Sequence, residues 1–570
     1  DFSEMASLQT TVILLAVFLS VNSASQKAKF AFLTHNEKTH QYELHEDEDF
    51  SSSVPWVIKG NFLNQMNDSG WSYLSLTSNG SFPDKIQAYG AGYVEGALTR
   101  EEITQHWMNT RDGYCPEPYN PYCQRLHAFL QENLDWMKKM IKDNAGTDPY
   151  WHMVELLLYQ VSGITDGYFN VSFGKSGINL DPFGLFMLQI DGDLKDLEPA
   201  LGCEDDKKSD VFGSGSCSVL IKLLPGFRDL YVAHNTWSSY KTMLRVLKKY
   251  DLAFHATQKR KGLVPGRVIT FSSYPGSLYS GDDYYLISSG LASLETTISN
   301  DNSYLWQFVQ PTHVLEGIRT MVANRLAKTG TDWAEIFSQS NSGTYNNQWM
   351  IVNYNQFKPG IAPNPGLLTV LEQMPGIIVH EDKTTLLLNQ TYWPSYNRAY
   401  FKVIFNISGQ QENVAKYGDY FTYEMAPRAQ IFRRDHGKVV DIESLTRLMR
   451  YNDFKHDLLS WCNCTPPYSA ANAISARGDL NPVNGTYPLS VLGSRPNGGI
   501  DLKLTSSTLI RELKFMAIAG PTWDDLPPFQ WSTSDFKDIP HHGIPDLCKF
   551  EPIYFNGTVL DKTMKVLFNL

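Results

Sequence analysis

Residues 213–216 read Gly-Ser-Gly-Ser and lead directly into Cys217, followed by the apolar run Ser218, Val219, Leu220, Ile221, Lys222, Leu223, Leu224. A thiol at the head of such a run can act in one particular way. If the Ser216–Cys217 peptide bond breaks, Cys217 becomes an N-terminus whose α-amine can serve as general base for its own thiol, so one residue supplies two catalytic groups. The same spacing equally describes a structural cysteine buried behind a surface loop, because cysteine is among the most buried residue types. His234 and Trp237 follow 17 and 20 residues after Cys217.

The elements that must position these groups are legible around them. Residues 218–224 suit a largely buried strand. Pro225-Gly226 marks a turn and residues 229–234 a returning strand, giving a hairpin that brings His234 and Trp237 back beside Cys217. The charge runs at 43–49 and 204–210 read as solvated loops, and the second lies where a processing loop has to be. Thr99-Arg100-Glu101-Glu102 has the form of a capping box for a helix running towards Asn109. Leu126, Phe129, Leu130, Leu134, Met137 and Ile141 recur at helical spacing, with Lys138 and Lys139 outside. A second such pattern spans 312–328 and stops at Gly330. Residues 267–271, 284–288, 294–299, 349–354, 377–380 and 401–407 read as strands. Many strands and separate helices without regular βαβ alternation predict an α+β fold. Although 570 residues could hold several average domains, no long linker or internal repeat divides the chain.

Met5 reads as the initiator, and the short apolar run 12–19 before Ser23, Ala24 and Ser25 suits a secretory signal peptide ending at residue 25. That run is too short to span a bilayer, which takes about 20 residues. N-x-S/T acceptors stand at Asn67, Asn79, Asn170, Asn389, Asn406, Asn463, Asn484 and Asn556. Together these features predict a glycosylated protein of an oxidising compartment. Seven cysteines then leave at least one thiol unpaired, and Cys217 is the natural candidate. Cys115 and Cys123 flank a proline-rich loop and are placed to pair. Cys462 and Cys464 stand too close in sequence to bridge each other easily, which leaves one of them for Cys548. A zinc site from Cys462, Cys464, Cys548 and His541 or His542 is the rival reading. No G-x-S-x-G elbow, P-loop, dinucleotide fingerprint or H-E-x-x-H occurs. Arg477-Gly478-Asp479 is read as structural. At neutral pH the formal charge is −11, and protonation of all 14 histidines would carry it to +3, so acidity should favour approach to an anionic bilayer.

Cys217-Ser218-Val219 with His234-Asn235-Thr236-Trp237 resembles the phospholipase B-like family of N-terminal nucleophile hydrolases. The resemblance continues in order through Leu294-Glu295-Thr296-Thr297, Tyr392-Trp393-Pro394-Ser395-Tyr396-Asn397, the block 427–434 (PRAQIFRR) and the block 472–480 (NAISARGDL). It implies a four-layer α-β-β-α sandwich with Cys217 at the end of a central strand. It also implies scission between Ser216 and Cys217, giving an N-terminal chain 26–216 and a C-terminal chain 217–570 that stay together. His234 and Trp237 match residues lining the nucleophile pocket, Asn397 an oxyanion donor, and Arg428 a group that orients substrate. Thr297 matches a hydroxyl partner, with Thr296 adjoining it. The implied activity removes fatty acyl chains from glycerophospholipids. An amidase acting on N-acyl substrates is the alternative, and a non-catalytic lumenal glycoprotein a third. The reading includes no cofactor, no metal and no nucleic-acid partner, at most peripheral contact with a membrane, and residence in the lysosome lumen or outside the cell.

Overall fold

The computed structural model describes residues 28–39, 41–46, 55–171, 177–203, 217–259 and 261–558. The expected signal peptide, the 204–210 charge run and Ser216 lie outside the described residues. The hairpin forms as its sequence predicts. Strand Ser218–Leu223 is wholly buried and pairs antiparallel with Leu230–Asn235, with Ser218 opposite Asn235 and Val219 opposite His234. The turn Pro225–Phe227 is a single 3-10 turn with Gly226 at φ 67°.

This hairpin belongs to a six-stranded antiparallel sheet ordered Tyr392–Ser395, Ser218–Leu223, Leu230–Asn235, Asp501–Thr505, Phe515–Ala519, Ile553–Phe555. A second sheet has 11 strands. Four of them precede Cys217 in sequence: Lys29–Asn36, Gln41–Glu46, Trp56–Gln65 and Trp71–Ser78. They join the seven later strands where Trp71–Ser78 pairs parallel with Val246–Asp251. One sheet is therefore built from both sides of the Ser216–Cys217 bond.

Side-chain alternation assigns each face of the hairpin. Val219, Ile221, Leu223, Leu230 and Val232 share an apolar core with Leu286, Leu294, Met350, Val352 and Val370 of the large sheet. Leu220, Leu224, Tyr231 and Ala233 point the other way, onto Ile431 and Phe432 of helix Pro427–Asp435 and Leu445, Leu448 and Met449 of helix Ile442–Met449. The large sheet is covered on its other face by helices Asp84–Leu98, Pro121–Asn144, Pro149–Phe169, Glu316–Leu326 and Gly330–Phe337. Strands buried on both faces read as continuous apolar runs, the pattern that residues 218–224 carry. Asp84–Leu98 and Pro149–Phe169 approach closely through Gly92, Gly96, Gly163 and Gly167. A Cβ on any of them would collide with the facing backbone, that of Gln160, Ile164, Tyr89 and Tyr93 respectively.

Several expectations are corrected. Residues 401–407 form the helix Lys402–Ile407, not a strand; Phe401 and Ile404 are buried three residues apart while Val403 and Asn406 are exposed, a helical rather than an alternating pattern. Thr99 does not close a capping box: its hydroxyl bonds back to Glu95 O, tying helix Arg100–Thr110 to the one before it. The 312–328 pattern yields Glu316–Leu326, and Gly330, expected as a stop, opens the next helix behind a Thr329–Asp332 capping box. Glu43 and Glu46, expected in a loop, lie in the edge strand Gln41–Glu46. The disulfide expectation is half right. Cys115–Cys123 is bridged, but Cys462 pairs with Cys464, and Cys548 is a buried free thiol. The short loop between Cys462 and Cys464 lets their Cα atoms stand 5.3 Å apart, within ordinary bridging range. Of the acceptor asparagines, Asn67, Asn170, Asn389, Asn406, Asn463 and Asn484 are exposed, and Asn79 and Asn556 are half-buried. Arg477 is buried and forks onto Asp479 through Nε and Nη2, so this tripeptide is part of the interior. No helix among the described residues is long and apolar enough to cross a membrane.

Candidate active site

Cys217 stands buried at the head of strand Ser218–Leu223, and its backbone is held by an arginine. Pro427 begins helix Pro427–Asp435, which places Arg428 in the first turn facing that strand. Arg428 Nη1 donates to Cys217 O at 2.7 Å and to Ser218 Oγ at 3.3 Å. Its Nη2 donates to Tyr396 O at 2.9 Å and to Asn397 Oδ1 at 2.8 Å. The guanidinium lies 4.2 Å over the ring of Trp237, whose indole N–H donates to Ile474 O. Burial pulls Arg428 down to about 10, still charged at neutral pH. Asn397 has φ 65°, a left-handed conformation that asparagine tolerates better than most residues. Its amide donates to Thr297 O at 2.8 Å. Cys217, Trp237, Asn397, Arg428 and the Thr297 backbone thus form one connected cluster.

Thr297 contributes its carbonyl rather than its hydroxyl: Thr297 Oγ1 is buried without a hydrogen-bond partner, whereas Thr296 Oγ1 meets Ser395 Oγ at 2.6 Å. His234 lies one step further from the thiol. Burial and the nearby Lys503 hold it well below its ordinary value, so the ring is neutral. Its Nε2 must donate to Glu295 O at 3.0 Å, leaving Nδ1 to accept from Thr236 Oγ1 at 3.3 Å. His234 positions Thr236 and ties the two sheets together; the cleft is lined by Thr236 instead.

Cys217 opens on a narrow cleft of about 50 Å³, walled by His106, Asp191, Lys195, Thr236, Trp237 and Tyr345 among others. No aliphatic side chain among the described residues lines it. Burial pushes the Cys217 thiol up to about 12, against the smaller opposing effects of the Trp237 backbone N–H and Lys503. Beneath the cleft lies a buried charge network that the sequence reading missed. Lys503 Nζ donates to Asp501 Oδ2 at 2.8 Å, Asp282 Oδ2 at 3.0 Å and Thr236 Oγ1 at 2.5 Å. Arg245 pairs with both Asp282 and Asp501. Asp501 Oδ1 accepts the Thr236 N–H at 3.0 Å, which fixes the residue next to Trp237. Burial lowers Lys503 to about 8, with Asp501 opposing the shift. Tyr345 Oη lies 2.7 Å from Asp283 Oδ2 and 3.1 Å from Glu295 Oε1. Burial pushes both carboxyls well above the usual range, with Glu295 adding to the rise of Asp283, and Cys217 and Glu316 to that of Glu295.

One signal for this network was present in the sequence. Asp501 and Lys503 alternate with Ile500, Leu502 and Leu504, so two opposite charges share one face of an otherwise apolar strand. His106 and Asp191, contributed from upstream of Cys217, carried no such signal. Among the described residues no group of three or more His, Cys, Asp or Glu side chains converges as metal ligands would.

Comparison with known proteins gives an independent measure of the same chain. A family model described as "Phospholipase B" matches residues 58–555. A protein of Rattus norvegicus named "Putative phospholipase B-like 2" is 51% identical over 521 residues, covering 90% of this chain and 87% of its own length. "Putative phospholipase B-like 1" of Caenorhabditis elegans is 44% identical over 506 residues, covering 87% of this chain and 86% of its own. "Phospholipase B-like protein B" of Dictyostelium discoideum is 40% identical over 510 residues, covering 88% and 85%.

Proposed function

This chain belongs to the phospholipase B family, and from that premise we propose that it is an N-terminal-cysteine hydrolase that removes fatty acyl chains from glycerophospholipids. The observation that carries the reading is the Arg428 clamp on the carbonyl of Cys217, at the head of a buried strand that opens on a cleft. A clamp on the carbonyl side leaves the nitrogen side of Cys217 free to change, as scission of the Ser216–Cys217 bond requires. We assign the two packed sheets with their outer helices to the N-terminal nucleophile hydrolase type, and the chain to residues 26–216 and 217–570 after scission.

In maturation the Cys217 sulfur attacks the Ser216 carbonyl and the thiol proton passes to the departing nitrogen. The C–N bond breaks, and the resulting thioester is hydrolysed by water to the Ser216 carboxylate and a free thiol. In turnover the new α-amine takes the thiol proton, and sulfur adds to the acyl carbonyl of the substrate. The tetrahedral adduct collapses, its leaving alcohol taking the proton from the ammonium. Water, deprotonated by the amine, then releases the fatty acid. Asn397 Nδ2 and nearby backbone N–H groups supply charge-directed donors for the oxyanion. Arg428 and Trp237 keep the nucleophile in register. Asp501 and Lys503 hold Thr236 beside it, and His234 acts through Thr236.

The small size of the cleft and its lack of aliphatic side chains among the described residues favour one second reading, hydrolysis of compact N-acyl amides by the same steps. The compartment that fits scission, sequons and bridges is the lysosome lumen or the extracellular space, with peripheral membrane contact at most. The test is incubation of matured protein with mixed phospholipids and N-acyl amides, product identification by mass spectrometry, and N-terminal sequencing of the larger chain. Products absent in Cys217→Ala and a chain beginning at Cys217 are expected. Turnover that survives Cys217→Ala, or an active form in which Cys217 is internal, would overturn the proposal.

A further inference from the structure

Part of the cleft wall is built from residues upstream of Cys217, and one of them is not accounted for by the packing. His106, on helix Arg100–Thr110, is 1% exposed and lines the same cleft as Cys217. Neither ring nitrogen has a hydrogen-bond partner. The Asp191 carboxylate is 4.0 Å from Nε2, beyond hydrogen-bond range, and pairs with Arg111 instead. Tyr274 stacks on the ring at 5.4 Å and 16°, which fixes its plane without satisfying its nitrogens. Four other polar groups of the cleft are engaged within the protein. Thr236 is held by Lys503, the Trp237 indole by Ile474 O, Thr242 by Ser239 O and Tyr345 by Asp283. Buried polar atoms are almost always paired, and an unpaired one in a native interior calls for an occupant or a task.

We propose that His106 is a substrate-contacting residue of the Cys217 site, hydrogen-bonding the ester or amide group of the bound acyl substrate, so that the segment upstream of the scission point completes the site. The inference rests on the hydrolase reading above. Burial, with Arg111, Lys248 and Arg245 nearby, lowers His106 to about 3, so the ring stays neutral, with one N–H and one lone pair. Such a ring can donate to an acyl oxygen or accept from an amide N–H, and it does so equally well in neutral and mildly acidic media. The chemical class it recognises is therefore a neutral acyl ester or amide, not a free carboxylate.

The experiment compares wild type, His106→Ala, His106→Asn and His106→Gly on a short-chain acyl ester and an N-acyl amide. Scission is read by N-terminal sequencing and folding by melting. Unchanged scission and melting, a loss of at least tenfold in kcat/KM for His106→Ala, partial recovery in His106→Asn, and rescue of His106→Gly by added imidazole are expected. Active wild type with His106→Ala within threefold of it overturns this inference alone. A loss that follows lowered melting and resists both Asn and imidazole also overturns it, marking His106 as packing. An inactive wild type overturns the hydrolase reading and this inference together.

Discussion

Replacing Arg428 with lysine keeps the charge and removes the geometry, so it isolates what the clamp contributes. Arg428 reaches four acceptors from two nitrogens that face different ways, Cys217 O and Ser218 Oγ from Nη1, Tyr396 O and Asn397 Oδ1 from Nη2. A lysine Nζ is a single point and can serve only one of those pairs. Two charge-assisted bonds are then lost, each worth roughly 1.5–3 kcal/mol when fully dry. The side chain is only partly buried, so water recovers a share of that, and about 1.5–3 kcal/mol remains in total. If the lost bonds act on the reacting residue rather than on the fold, the effect is roughly 10–100-fold in kcat/KM, at about 1.4 kcal/mol per tenfold. The assay is steady-state hydrolysis of a soluble acyl ester by processed protein, with the rate of Ser216–Cys217 scission measured in parallel. Both rates should fall while melting changes by only a few degrees. Turnover and scission within threefold of wild type would refute the argument that Arg428 holds the nucleophile.

Stability should rise as pH falls from 8 to about 6.5. Glu372 is raised by burial to about 7, and Asp283, Glu295 and Glu316 are pushed well above the usual range, chiefly by burial, so the native state holds protons that the unfolded chain has lost. Their stabilising contribution is complete below the unfolded carboxylate range and fades as pH climbs through the folded values; a melting temperature that is flat or higher at pH 8 contradicts this. Alkylation after denaturation without reduction should label Cys203, Cys217 and Cys548 and spare the other four, and a peptide joining Cys548 to Cys462 or Cys464 would be the wrong outcome. Gly163→Ala should destabilise by about 1–3 kcal/mol or more through overpacking, because the added methyl meets the Tyr89 carbonyl across the helix pair; a variant that melts with wild type shows that the two helices can part at little cost.

Local chemistry was legible where it repeats along the chain, and illegible where it is assembled across it. The hairpin could be read because an unbroken apolar run, a Pro-Gly turn and a second run leave few alternatives. Residues 401–407 were misread because Phe401, Val403, Ile404 and Phe405 are good strand formers, and only their burial at a three-residue spacing identifies a helix. Thr99 has the right neighbours for a cap, yet the preceding helix offers its hydroxyl a carbonyl at Glu95. In the site, Cys217, Trp237, Asn397 and Arg428 were reached through family blocks, and they do meet. Arg245, Asp282, Asp501 and Lys503 come from three distant segments, and no spacing rule pairs them.

The histidines show why composition misled about charge. Counted from the sequence, 14 of them could reverse a formal charge of −11 in acid. In the fold, His106 is held at about 3 and His436 at about 4, each first by burial, His234 lies well below its ordinary value, and His313 is lowered by burial and Arg319. With His106, His234 and His436 neutral at pH 5, full protonation of the other eleven brings the formal charge only to zero. The sign does not reverse on histidine alone. Docking to an anionic bilayer in acid must then draw on carboxylates that keep their protons, and several of those lie beneath the Cys217 cleft rather than on the surface. Asp283 and Glu295 are fully enclosed, so their neutrality changes the field at the thiol and not the potential that a membrane meets.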